Sequence, residues 1–167
     1  MANDEKDVII QFKRTLPNAV IPTKANKDAE GYDLTVVAVD KIISEKCIMF
    51  DTGIAVQPPP GYHTRVVPRS SFGKSIYVMA NSIGIIDRDY RGSIKICVKQ
   101  VEDDEMIPIH LVSQCASIKS YNDIRTKLKP PFKAFQLLVE KSIPSRLVEV
   151  ENLDDTKRGD GGFGSTG

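Results

Sequence analysis

Apolar residues in this chain come in short bursts punctuated by Gly and Pro: 8–12, 34–39, 53–56, 62–67 and 76–79. An amphipathic helix needs an apolar stripe recurring every three to four residues over about ten or more, so bursts of this length predict β-strands. The clearest is 94–98, where Ile94, Ile96 and Val98 alternate with Lys95 and Cys97, the period of two of a sheet buried on one face. Further strands are predicted at 107–112, where Pro108 would force a sheet edge or bulge, at 133–140 and at 146–149. Helical spacing occurs at 117–129: Ile118, Tyr121, Ile124 and Leu128 fall three to four residues apart and Pro130-Pro131 ends the run, which predicts a short helix. About nine or ten strands without helical crossovers predict an all-β antiparallel barrel or jelly roll and exclude a doubly wound parallel sheet.

The 167 residues match one domain, large enough to bury a core without disulfide or metal staples. With 23 Lys plus Arg against 22 Asp plus Glu, the net charge of +1 sets up no broad field for DNA, RNA or an anionic membrane. Any polyanion bound must be small and held locally, so neither nucleic acid nor membrane is expected as a partner. Cys47, Cys97 and Cys115 are odd in number and have neither CxxC spacing nor a nearby His pair, which argues against a disulfide scaffold and a structural zinc site. Residues 1–6 are polar, without the apolar centre of a signal peptide, and no later apolar run is long enough to span a bilayer. The expectation is a soluble protein of a reducing compartment, cytoplasmic or nuclear.

Composition shifts after Val150. Glu151, Asp154 and Asp155 make the chain acidic, then Arg-Gly-Asp-Gly-Gly-Phe-Gly-Ser-Thr-Gly follows at 158–167, with five of the eleven glycines in the last nine residues. So little side-chain surface cannot pack a core, which predicts a flexible arm at 151–167 that orders only against a ligand or a neighbouring chain. The same residues hold what a triphosphate needs. Glycines let N–H groups converge on an anion, Ser165 and Thr166 donate hydroxyls, Arg158 brings a guanidinium, and Phe163 offers a face to stack on a base. No Gly-Lys-Ser/Thr is present, so this is not a Walker loop. Upstream, Asp87 sits in Asp-Arg-Asp at 87–89 between apolar runs, where aspartate is equally a turn former. Asn81 carries both a donor and an acceptor, and Gln136 interrupts an apolar strand. His63 and His110 pair with no nucleophile or metal ligand, and without a Gly-X-Ser-X-Gly elbow covalent serine catalysis has no support.

Five segments acquire a common meaning when taken in order. Ala-Glu-Gly-Tyr-Asp-Leu at 29–34, Pro-Arg-Ser-Ser-Phe-Gly at 68–73, Gly-Ile-Ile-Asp-Arg-Asp-Tyr-Arg-Gly at 84–92, Phe-Lys-Ala-Phe-Gln-Leu-Leu at 132–138 and the glycine-rich 158–167 resemble the five motifs of the trimeric dUTP diphosphatase family. The resemblance covers nearly the whole chain. It implies a dUTPase-like β-barrel or jelly roll at 1–150 with an insertion at about 102–131, and an arm at 151–167 that closes over an active site shared between subunits of a homotrimer. It further implies dUTP as substrate, hydrolysed to dUMP and pyrophosphate, and Mg2+ as cofactor.

By this resemblance Asp87 is the general base for the water that attacks the α-phosphorus. Asn81, Gly84 and the backbone at Ile86 meet uracil, and Tyr90 lies on the deoxyribose where it leaves no space for a 2′-hydroxyl. Ser70, Ser71, Gln136, Arg158, Ser165 and Thr166 serve the phosphates, Arg69 either touches phosphate or organises the site, and Phe163 and Gly164 close over the nucleotide. Asp33 stands near the magnesium, through water, as the ion's preference for retained waters allows. Two features depart from the family. The fourth motif reads Pro-Phe-Lys-Ala-Phe-Gln instead of Gly-Asp/Glu-Arg-Ile-Ala-Gln, and the third-to-fourth spacing is longer by roughly twenty residues, a length that adds little loop-closure entropy. Two other functions stay open at this point: a dCTP deaminase-like enzyme of the same fold, although no segment clearly supplies a group to activate water at the cytosine ring, and a dUTP-sensing interaction protein whose insertion recognises a partner.

Overall fold

A computed structural model describes residues 7–101 and 128–162. Its strands are β1 (Gln11–Arg14), β2 (Tyr32–Val36), β3 (Ala38–Ser44), β4 (Cys47–Asp51), β5 (Ile54–Gln57), β6 (Tyr62–Pro68), β7 (Tyr77–Met79), β8 (Gly84–Ile86), β9 (Lys95–Gln100) and β10 (Phe132–Lys141), with a 3-10 helix at Ser70–Lys74. Every ladder among the described residues is antiparallel. The strands form a β1-β5 ribbon and two four-stranded sheets, β2-β10-β6-β8 and β3-β4-β9-β7. This is the all-β jelly roll expected from the strand rhythm.

One core joins the two larger sheets. Leu34 and Val36 of β2, Val66 of β6 and Phe135 and Leu137 of β10 pack in the same cluster as Phe50 of β4, Met79 of β7 and Ile96 and Val98 of β9. Period two in β9 is realised as read: Ile94, Ile96 and Val98 are at most 2 % exposed, while Lys95 and Lys99 face outward. Aromatic rings tie the layers, Phe50 edge-on to Phe132 at 5.2 Å and Phe72 against Phe135 at 4.9 Å. A side chain buried as fully as Phe50 or Phe135 contributes about 1.5–3 kcal/mol.

The structure redraws several strands. The 34–39 burst is cut at Val37, whose N–H donates to the Asp51 carbonyl at 2.9 Å, so that the chain leaves one sheet as β2 and enters the other as β3. The first strand begins at Gln11 instead of Val8, and β4 and β8 add strands that the sequence reading did not name. Residues 146–149 belong to no strand. From Ser142 the chain runs outside any sheet, with Ile143 85 %, Leu147 fully and Leu153 86 % exposed. Apolar rhythm reports that these side chains want cover; it cannot report whether their own chain supplies it. The strand predicted at 107–112 and nearly all of the helix predicted at 117–129 lie outside the described residues. Leu128, the last apolar position of that helix, is described, lies in no helix and packs against the core. Among the described residues no helix is long and apolar enough to cross a membrane.

Candidate active site

A β-bulge organises one half of the site. On β10 the pairing with β2 shifts register between Lys133 and Phe135, so Lys133 faces Thr35 while Gln136 faces Asp33. In an unbroken strand residues three apart point to opposite faces; the extra residue restores the phase and puts Lys133 and Gln136 on the Asp33 face. The bulged Ala134 carbonyl accepts the Arg69 N–H at 2.9 Å, which fixes the chain where β6 enters the 3-10 helix. Asp33 then sits between two cations, with Oδ1 3.1 Å from Arg69 Nε and Oδ2 3.4 Å from Lys133 Nζ. Gly31 completes the arrangement. A methyl there would strike the Gln136 side-chain oxygen and stand 2.8 Å from its Cδ and 3.0 Å from its Cβ, so only glycine leaves room for the Gln136 amide. Ser70 and Ser71 are exposed at the start of the 3-10 helix, beside Arg69.

These positions fall in one row across the sheet. Asp33 is opposite Gln136, Gln136 is opposite Val67, and the neighbouring Val66 is opposite Gly84. Residues from the first, fourth, second and third motifs therefore meet at one end of β2-β10-β6-β8, strands spaced about 4.8 Å apart. Asn81 lies in the turn by which the chain passes from β7 in one sheet to β8 in the other, exposed, with Ser82 at φ 56° turning the chain. A left-handed conformation at a non-glycine residue costs of order 1–3 kcal/mol and persists where its surroundings impose it.

The other half is the loop after β8. Asp87 is exposed, and its carboxylate takes no hydrogen bond among the described residues; only its backbone carbonyl is engaged, by the Tyr90 N–H at 3.1 Å. Arg91 pins the turn, donating from Nη1 to the Arg88 carbonyl at 2.6 Å and the Tyr90 carbonyl at 3.0 Å. Tyr90 is aimed by its own anchor. Its hydroxyl donates to the Ser93 carbonyl at 3.0 Å, and the ring lies so close over Gly92 that a side chain there would collide with it. The Ser93 hydroxyl in turn donates to Asp51 at the end of β4.

Within one chain the two halves stand apart. Ile86, next to Asp87, pairs with Thr64 of β6, whereas Gln136 pairs with Val67. Three residues along a strand is about 10 Å, before the sideways separation of β8 from β10 is added. Arg158 lies on neither half: its Nε donates to the Gly161 carbonyl at 2.7 Å, in a turn made by its own segment. Phe163, Gly164, Ser165 and Thr166 lie outside the described residues. A groove of about 590 Å³ between β1 and β5 is lined by Phe12, Lys13, Val56 and Gln57 and touches the motif residues only at Arg91. The sequence by itself assigns no role to Lys133, Gly31, Arg91 or Ser93. Gly31, Arg91 and Lys133 lie inside the quoted motifs, whereas a bulge such as that at Ala134, which aims Lys133, leaves no mark in the residue pattern.

A jelly roll with a row of polar and cationic side chains at one end of a sheet and an unengaged carboxylate in the loop after β8 carries the groups that a nucleotide hydrolase uses. A dUTPase family model matches residues 17–110. The deoxyuridine 5′-triphosphate nucleotidohydrolase of Escherichia phage T5 is 35 % identical over 167 residues, covering 95 % of this chain and 99 % of that protein. The enzyme of the same name from Arabidopsis thaliana is 32 % identical over 159 residues, covering 94 % and 82 %. A structure of a mutant dUTPase of Staphylococcus bacteriophage 80alpha with dUpNHpp shares the fold at a TM-score of 0.68 and 22 % identity, over 95 % of this chain and 98 % of that one. The chain belongs to the dUTPase family.

Proposed function

We propose that this chain hydrolyses dUTP to dUMP and pyrophosphate by attack of water in line on the α-phosphorus, in homotrimers whose active sites combine residues of different subunits. The observation that carries this reading is the split site: a polar and cationic row at one end of a sheet, and a free Asp87 carboxylate about 10 Å or more away along the strands. A second subunit that brings its loop to that row would unite them. The uncovered Ile143, Leu147 and Leu153 support the same reading, because apolar side chains held off their own chain are suited to burial on another.

Magnesium fits this site in a particular way. No group of three or more His, Cys, Asp or Glu among the described residues could chelate a cation. Both Asp33 oxygens already face cations, so Asp33 suits an outer position, accepting a hydrogen bond from metal-bound water. That is the donor set of an ion that arrives on the triphosphate and keeps several waters, and when bound it would neutralise charge on the phosphate oxygens. A dUTPase of Staphylococcus aureus phage phi11, similar in fold at a TM-score of 0.65, holds a structural Mg(II) ion.

The chain's own residues then divide the work. Asp87 takes the proton of the attacking water. Asp33 orients Arg69 and Lys133, while Gln136, Ser70 and Ser71 donate to phosphate oxygens whose charge grows in the transition state. Asn81, Gly84 and the backbone at Ile86 receive uracil, and Tyr90, held by Ser93 and Gly92, excludes a 2′-hydroxyl. The arm at 151–167 brings Arg158, Ser165 and Thr166 to the phosphates and Phe163 and Gly164 over the base, its ordering offset by the ligand.

Pyrophosphate release tests the reading. It is expected from dUTP and not from UTP, dTTP or dCTP. Ammonia from dCTP would support the deaminase, and tight dUTP binding without turnover in magnesium would support the sensing protein. Removing residues from Arg158 onward should abolish turnover while light scattering still reports a trimer; full activity without the arm would refute its closing role.

A further inference from the structure

We infer that Cys47 and Cys97 form a dithiol that hydroperoxides close into an intrachain disulfide, joining β4 to β9 on the outer face of their sheet. Far apart in sequence, these residues are diagonal neighbours in the ladder, where Cys47 faces Lys99 and Met49 faces Cys97. Both are free thiols, partly exposed, and their sulfurs lie 3.3 Å apart. A disulfide holds its sulfurs about 2.05 Å apart, so closure asks for about 1.3 Å of approach, a distance that side-chain rotation together with sheet twist can supply. The core is left alone. Ile48, Phe50, Ile96 and Val98 point to the inner face, and the thiols occupy the alternate positions. The pair also belongs to the sheet that does not carry Asp33, Arg69, Lys133 or Gln136.

The two sulfurs take different parts in the reaction. Burial, and after it the contact with Cys47, pushes the Cys97 thiol up to about 11, so Cys97 keeps its proton at neutral pH. Cys47, across the ladder from the Lys99 ammonium, meets the oxidant. Its sulfur attacks the peroxide, the O–O bond breaks, water or an alcohol leaves with the Cys47 proton, and Cys47 carries a sulfenic acid. The Cys97 sulfur then attacks the Cys47 sulfur, the S–O bond breaks, and the hydroxyl leaves as water with the Cys97 proton. Two thiols have lost two electrons to one hydroperoxide, and a dithiol reductant reverses the change.

The experiment is peptide mapping of the full-length protein treated with hydrogen peroxide. After blocking free thiols and digesting with trypsin without reduction, residues 47–65 and 96–99 should appear as one linked species and separate again with dithiothreitol, while the peptide bearing Cys115 stays unlinked. In the Cys97→Ser variant, dimedone should trap a sulfenic acid on Cys47. The inference is overturned if Cys47 or Cys97 links instead to Cys115, if the two oxidise singly to sulfinic acids, or if both survive a peroxide dose that oxidises glutathione. The wild-type map decides the matter even if the variant does not fold.

Discussion

Gly31→Ala tests the tightest contact in the site. The position is buried and its φ lies outside the left-handed region, so alanine strains no backbone; all of the cost comes from Gln136. The new methyl would overlap the Gln136 amide oxygen, with Cδ at 2.8 Å and Cβ at 3.0 Å, where carbon atoms prefer about 3.5–4.0 Å. The amide can swing away, but Cβ is fixed to the strand, so relaxation is incomplete and overpacking should cost about 1–3 kcal/mol. Displacing the amide would also remove the phosphate donor proposed above, a loss of about 10²-fold in kcat if it acts at developing charge. Gln136→Ala should lose a similar rate with little loss of stability. The double variant discriminates: two of the three close contacts vanish, so denaturant unfolding should show it more stable than Gly31→Ala alone, while pyrophosphate release stays as low as in either single variant. If the stability losses simply added, Gly31 would not be making room for Gln136.

Other residues give sharper yes-or-no outcomes. If Asp87 is the proton acceptor proposed above, Asp87→Asn should bind dUTP with unchanged affinity by calorimetry and lose about 10²–10⁴-fold in turnover. Gly92→Ala should push the Tyr90 ring off its seat and erode selection against ribose, read as a rise in the UTP to dUTP ratio of kcat/KM; an unchanged ratio would remove Tyr90 from that task. Cys97 makes stability pH-dependent on the alkaline side. Its thiol ionises near 11 in the fold against 9.0 when unperturbed, so the unfolded chain loses the proton first. The contribution is complete below pH 9 and lost as pH rises toward 11, and Cys97→Ser should flatten the fall in denaturation midpoint over that window.

What the residue order reveals depends on how local the physics is. Ile94, Ile96 and Val98 betray β9 because burial on one sheet face imposes a period of two on adjacent residues. The loop from Gly84 to Gly92 is visible for a related reason, since a turn, a ring seat at Gly92 and a carboxylate at Asp87 are packed into nine consecutive positions. Lys133 is invisible because its orientation depends on the bulge at Ala134, a property of pairing with β2. The clasp of Ser93 on Asp51 and the meeting of Cys47 with Cys97 are likewise made between strands, 42 and 50 residues apart. Residues 146–149 mislead for the opposite reason: their apolar side chains promise cover, and none is found within the described part of the chain.

The division of the site between two ends of one sheet also bears on inheritance. In the shared-site assembly proposed above, a copy lacking Asp87 and a copy lacking Gln136 are defective in different halves. Mixed at random in equal amounts, they would leave about one pocket in four with both residues sound. Two lesions that each inactivate the enzyme alone can thus mask one another when expressed together.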